Sequence, residues 1–212
     1  MIDRRSLLST VVGAGIVATA GCSLLEEEIE KEASPARVSE QALSETGYEH
    51  LQTTDTRLEQ TVEVADQQRD LSLTNWLTEY QKIGTDEERT AANFMIFSSP
   101  TVSVAGRSAN PFERFDEKRL ISELFGRSES DDADQLEEVG SRTVDVLGES
   151  VEFTVYHGSQ EIAGETVTVE LHFGTLTNEG DLVAILGTHP ELLDESENIY
   201  GLAEAIVHPT DP

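Results

Sequence analysis

The sequence predicts an α+β domain in which a mainly antiparallel sheet is flanked by helices. Three observations carry that prediction. Several stretches alternate apolar and polar residues at the period of two expected of strands, and two pairs of them flank short polar turns. Two other stretches, Asn93–Ser98 and Asp181–Gly187, are apolar at both parities, as in strands buried on both faces. Three segments show helical spacing with recognisable starts and stops.

The first helix is expected from Ser39 to about Glu45, with Ser39 as cap, Val38 and Leu43 at the staple positions and Gly47 as the stop. Strands Thr56–Ala65 and Arg69–Tyr80 follow, around Asp66-Gln67-Gln68. Leu58, Val62 and Val64 alternate on the first, and Leu71, Leu73 and Leu77 on the second. Thr74, Trp76, Thr78 and Tyr80 line the second strand's other face, which is either an exposed interaction strip centred on Trp76 and Tyr80 or core beneath a covering helix. Thr85–Thr90 reads as a capped turn or short helix. Strand Asn93–Ser98 is interrupted by Pro100, and Thr101–Ala105 continues it as an edge segment, where proline is tolerated.

Phe115–Phe125 is an amphipathic helix capped by Asp116, with Leu120, Ile121, Leu124 and Phe125 as its buried stripe and Gly126 as its end. Arg127–Gly140 is an acidic loop whose carboxylates lack the glycine and the spacing of a calcium-binding EF-hand. Arg142–Leu147 and Ser150–His157 form a hairpin about Gly148-Glu149. Glu165–Phe173 alternates strictly through Val167, Val169, Leu171 and Phe173, and Asp181–Gly187 is a central strand closed by His189-Pro190. A last helix starts at Asp194-x-x-Glu197, buries Ile199, Leu202, Ala203 and Ile206, and stops at His208-Pro209. Residues 61–74 and 143–156 are weakly alike, which two hairpins in similar settings explain without a duplication.

Three zones divide the chain: residues 1–21, residues 22–34 and a globular domain over residues 35–212. Met1–Cys22 carries Arg4 and Arg5 before an uncharged stretch, Leu7–Ala20, and small residues before Cys22. Fourteen helical residues span about 21 Å, short of the roughly 30 Å hydrocarbon core, so a spanning helix is not expected. Arg4-Arg5-Ser6-Leu7-Leu8 resembles a twin-arginine export motif, with Asp3 where Ser or Thr is commoner. Ala20-Gly21-Cys22 resembles a lipobox, which implies cleavage before Cys22 and a lipid on its thiol. Cys22 is the sole cysteine, so no intrachain disulfide forms. One acyl chain anchors only marginally, so the anchor needs two chains or a second contact. Residues 22–34 then serve as an acidic tether, in which Glu26, Glu27 and Glu28 are solvated charge rather than a cation site.

The chain has 42 Asp+Glu against 14 Lys+Arg, a formal charge of −28, and only three lysines: Lys31, Lys82 and Lys118. Such self-repulsion is relieved at high ionic strength, where charges are screened beyond about 3 Å at molar salt. The balance argues against nucleic acid and against a basic membrane-surface patch. It resembles the proteins of extremely halophilic archaea.

Thr46-Gly47-Tyr48, Thr74-Asn75-Trp76, residues 98–112 and the hairpin at 143–158 resemble an uncharacterised family of haloarchaeal twin-arginine-exported lipoproteins, to which no activity is assigned. Residues 182–209 resemble the closing strand and helix of PsbP-like domains. That likeness implies an α/β/α sandwich in an exported accessory subunit, and no metal or docking residue carries over from it.

No nucleophile elbow, phosphate loop, dinucleotide fingerprint, Cys-x-x-Cys or His-Glu-x-x-His stands in the chain. Of the five histidines, His157 has the core parity of its strand and His172 the opposite parity of its own, which does not favour a metal or catalytic face shared by those two. His189 and His208 each precede a proline at an element boundary, a structural position. No catalytic, cofactor-binding or metal-ligating residue stands out, and no cofactor is expected. The expectation is a lipid-anchored extracytoplasmic interaction or binding module without catalysis, held at the membrane through Cys22 on the outer face of the cell membrane and meeting a membrane or cell-surface protein. The alternatives are an enzyme, such as a hydrolase, whose site assembles only in three dimensions, and a lipoprotein that binds a small ligand or cation.

Overall fold

A computed structural model describes residues 28–64, 67–84, 90–104, 106–125, 136–162 and 165–211. Arg4, Arg5, Cys22 and the acidic residues Asp131, Asp132 and Asp134 lie outside the described residues, as does most of the expected turn at 85–90.

The fold is α+β, a mostly antiparallel sheet with helices on both faces. Strands β1 (Ile29–Glu32) and β2 (Arg37–Val38) precede helix α1 (Glu40–Thr46). Two long strands, β3 (Glu49–Val64) and β4 (Gln67–Ile83), make a hairpin well beyond the expected ends, and β5 (Thr90–Pro100) returns beside it. A two-stranded ribbon, β6 (Ser103–Val104) with β7 (Arg107–Ser108), leads into helix α2 (Glu117–Phe125). The second half is β8 (Glu137–Val146), β9 (Glu149–Ile162), β10 (Glu165–Asn178), β11 (Asp181–Pro190), helix α3 (Ser196–Glu204) and β12 (Ile206–Val207).

Across the main sheet the order is β3-β4-β5-β11-β10-β9-β8. On the edge of β4 where β5 pairs its second half, Leu71–Thr74 is paired in parallel by β1, so the stretch expected as a tether contributes a strand. β12 pairs with β2 in a small ribbon of its own. The acidic run expected as a loop up to Gly140 enters β8 at Glu137, with a bulge before Gly140.

Two tight turns set the register of the second half. Leu147-Gly148 has φ of 53° and 82°, and Glu179-Gly180 has φ of 51° and 91°. Two left-handed residues in a two-residue loop match the right-handed twist of the flanking strands. The second turn pairs Asn178 with Asp181, which in turn places His172 opposite Gly187 and Glu170 opposite His189.

Central strands β5 and β11 are apolar at both parities because the sheet is covered twice. Phe94, Ile96, Val183 and Ile185 pack beneath α1 and α3, against Leu43, Ile199, Leu202 and Ala203. Phe97, Ala184 and Leu186 face the other way, with Leu171 and Phe173 of β10, beneath Leu120 and Ile121 of α2. A smaller cluster, Leu71, Leu73, Val102 and Ala109, lies under the β6–β7 ribbon.

The helix ends follow sequence signals unevenly. Ser39 accepts from the Ala42 N–H at 3.4 Å, and Gly47 closes α1 in the left-handed region at φ 75°, as expected. Asp116 accepts from the Arg119 N–H at 2.9 Å and so caps α2. The expected box at Asp194-x-x-Glu197 does not form. Glu195 stands at the cap position, its carboxylate accepting from Lys82 Nζ at 2.8 Å and Asn198 Nδ2 at 2.8 Å. Ile206, expected on the last helix, begins β12 instead.

Candidate metal centre

The site forms where β9, β10 and β11 lie side by side on the face covered by α3. A strand shows every second residue on one face, so Glu170 and His172 share it. The register sets His189 of β11 beside Glu170, and His157 of β9 on Glu170's other flank. One row across three strands therefore reads His157, Glu170, His189, with His172 a step along β10.

His172 and His189 are 1% and 2% exposed as residues, and their rings stack with centroids 5.2 Å apart. Their Nε2 atoms are 3.0 Å apart. Glu170 Oε2 lies 3.4 Å from His189 Nε2 and 3.7 Å from His172 Nε2. A tetrahedral ion with ligands at about 2.0–2.1 Å requires ligand–ligand separations of about 3.4 Å. The three observed separations bracket that edge.

The protons lead to the same place. His189 Nδ1 is 2.9 Å from the Pro190 carbonyl, which can only accept. The proton of neutral His189 therefore sits on Nδ1 and leaves a lone pair on Nε2. The 3.0 Å contact then makes His172 the donor, through Nε2–H. Its Nδ1, 2.9 Å from the Tyr200 hydroxyl, accepts from that O–H. Glu170 Oε2 is acceptor-only when ionised, so one proton is shared among three electron-pair-bearing atoms. A divalent cation in its place satisfies all three. His172 Nδ1–H then donates to Tyr200, giving each imidazole the outer hydrogen bond typical of a metal-bound histidine.

Burial is the main reason that His172 titrates low, at about 4; the nearby His189 lowers it further, and Glu170 opposes the shift. At neutral pH the ring is therefore uncharged, the form that binds metals. Burial likewise raises the Tyr200 hydroxyl above its ordinary range, so it remains a neutral hydrogen-bonding group. The Arg142 guanidinium lies 4.4 Å from the Tyr200 ring centre and is paired with Glu197, which pins Tyr200 from the solvent side.

Gly187 brings α3 onto this face. A Cβ there would lie 2.5 Å from Ile199 Cγ2, so only glycine opposite His172 allows the helix to sit this close. The residue after Ile199 is Tyr200, so the same contact delivers the hydroxyl to His172.

The expectation of a domain without catalysis is corrected here. Glu170, His172 and His189 form a buried cluster able to hold a metal ion, and such a cluster points to catalysis. The parity reading of the histidines fails for a definite reason. It took the alternating apolar residues of β10 to mark the only buried face, but those residues pack under α2 while His172 is buried on the opposite face under α3. His157 and His172 thus share a face. His189 is a member of the cluster as well as an element boundary. His208 stands apart, with Nδ1 3.0 Å from Asn178 Oδ1 and Nε2 3.2 Å from Asp181 Oδ2.

The aromatic strip of β4 divides. Tyr80 is 2% exposed and its hydroxyl accepts from the Val38 N–H at 2.9 Å, so it belongs to the core. Trp76 is half-buried, with an indole nitrogen that has no hydrogen-bond partner among the described residues. A concavity of about 520 Å³ lined by Asp116, Glu117, Lys118, Arg119, Ser122, Glu123 and Tyr156 runs beside α2 on the other face of the sheet and shares no residue with the cluster. Converging ligand atoms, not concave volume, mark the site in this molecule. Among the described residues no helix is long and apolar enough to cross a membrane.

No curated protein matches the chain. Residues 35–207, which include every residue of the cluster, match the family described as "Domain of unknown function (DUF6517)", and the chain belongs to that family.

Proposed function

We propose that this domain is a divalent-metal enzyme of the hydrolase class, its ion held by Glu170, His172 and His189. The convergence of Glu170 Oε2 and the two Nε2 atoms at tetrahedral-edge separations carries the reading. Two imidazoles and a carboxylate suit zinc better than the all-oxygen shells of calcium and magnesium. Three protein ligands leave a fourth position for water, the ligand count of hydrolytic zinc sites, where the ion lowers the pKa of that water to about 7. Access is from the Glu170 side, because the Glu170 and His157 side chains are 24% and 31% exposed while both ligand histidines are sealed. The same donors also suit ferrous iron in oxygenases, a second reading that rests on the donor set alone.

The test is metal analysis of the purified chain, followed by hydrolysis assays on ester, amide and phosphoester panels with H172A and H189A as controls. One equivalent of zinc, lost in both variants together with any hydrolysis, is the expected result. Iron in its place moves the assignment to oxidative chemistry. A wild-type chain that takes up no metal sinks the proposal.

The placement of this enzyme follows from its first residues. Arg4 and Arg5 support export, and Cys22 supports a lipid anchor on the outer face of the membrane of a halophilic archaeon, beside a membrane or cell-surface partner. The PsbP-like sandwich remains a proposal carried by the likeness of residues 182–209 alone. Fractionation of Cys22→Ser checks the anchor: release from the membrane is expected, and retention refutes it.

A further inference from the structure

We infer that His157 holds Glu170 as a one-oxygen ligand and thereby keeps the fourth corner of the ion open; this rests on the metal centre proposed above. Glu170 has two oxygens, and the fold divides them. Oε2 faces His189 and His172 at 3.4 and 3.7 Å, while Oε1 lies 3.3 Å from His157 Nε2. An ionised carboxylate only accepts, so His157 is the donor, through Nε2–H.

The arrangement is built into the sheet. Glu170 is the cross-strand partner of His157 on one side and of His189 on the other, so no side chain has to reach out of register. The same row continues to Glu137 of β8, the exposed cross-strand partner of His157. His157 itself stands outside the group of converging ligand atoms. It touches the centre only through Glu170 and is a positioning residue.

A carboxylate with both oxygens free can chelate an ion through both, as it often does with calcium. At a three-ligand centre that second bond would occupy the place of the reactive water. A hydrogen bond to Oε1 opposes it, and such bonds to an ionised acceptor are the stronger kind. Absence of His157 should leave a centre that still takes up metal, more weakly and with the wrong coordination.

Cobalt(II) reports both quantities, since its visible absorption is intense when four-coordinate and falls as coordination rises. The full chain, carrying C22S throughout so that no thiolate competes, is titrated with cobalt as wild type at residue 157, as H157A and as H157Q. In H157A we expect affinity to fall about 10–100-fold, as for other outer-layer partners of metal ligands, with weakened absorption. In H157Q, whose amide can donate to Oε1, we expect both to return towards wild type. A surface ion pair of no consequence would leave H157A equal to wild type in affinity and spectrum, and that result overturns the inference while the metal centre stands. Failure of H157Q to recover either quantity overturns donation as the cause. No cobalt binding by the wild type removes the centre and this inference with it.

Discussion

Replacing Gly187 by alanine tests whether the close seat of α3 builds the centre. The added Cβ would lie 2.5, 2.8 and 2.9 Å from three atoms of Ile199, a side chain with no exposed surface. Contacts that short must be relieved by moving α3 or by distorting the strand, and overpacking of this kind costs about 1–3 kcal/mol. Alanine also recovers about 0.5–1 kcal/mol of backbone entropy that glycine forfeits in a strand, so we expect a net loss centred on about 1 kcal/mol. Ile199→Ala alone should cost about 2–5 kcal/mol through the cavity it leaves. In the double variant the new methyl group has space, so the cost of that variant should fall short of the sum of the two single costs by about 1–3 kcal/mol. Urea midpoints at constant high salt read all four corners of the cycle. Zinc affinity should fall with G187A as well, because Tyr200 moves with Ile199. G187A as stable as wild type, or strict additivity in the cycle, would refute the claim that this contact sets the height of the helix.

Further outcomes follow from the same geometry. Zinc at one hundred times its dissociation constant should raise the unfolding free energy by about 2.7 kcal/mol in the wild type and leave H172A and H189A unmoved; a chelator should reverse the shift, and equal shifts in all three would place the ion elsewhere. In the metal-free protein, His172 titrates at about 4 when folded, against the ordinary histidine value of about 6.5 in the unfolded chain, so the unfolded chain binds its proton first. Stability from this group is complete above pH 6.5 and declines by about 3 kcal/mol as the pH falls to 4. A wild-type minus H172N difference in urea midpoints that stays flat across that range would contradict the sealed setting of the ring. Lys82→Met should lower stability by about 1–3 kcal/mol, because the Glu195 carboxylate, 12% exposed, keeps only Asn198 among the described residues; an unchanged melting temperature would mean that water replaces the ammonium without loss.

Much of the scaffold was legible because it follows local rules. The apolar run of β11, the alternation of β10 and the caps of α1 each depend on near neighbours in sequence. The ends of β3 and β4 were not, since residues such as His50, Gln52 and Lys82 are held in strand by pairing rather than by apolar pattern. The centre was hidden for a different reason. Glu170-x-His172 looks like a solvent face when only Val169, Leu171 and Phe173 are weighed. A signal was nevertheless present. The turn Asn178-Glu179-Gly180-Asp181 fixes the pairing of its strands, and counting back from it puts His189 opposite Glu170. A turn-based register would have found that pair, which parity does not address.

The two ends of the described chain are fastened to one another. The Ser34 N–H donates to Asp181 Oδ2 at 2.8 Å, the same carboxylate oxygen lies 3.2 Å from His208 Nε2, and the Thr210 N–H donates to the Pro35 carbonyl at 3.0 Å. The Thr210–Pro35 contact joins residues 175 apart in sequence. A ribosome must release almost the whole chain before Pro35 meets this partner. During synthesis, then, the Pro35 carbonyl waits for its partner until the last residues of the domain have been made. Completion of the fold and closure of this clasp therefore become one event.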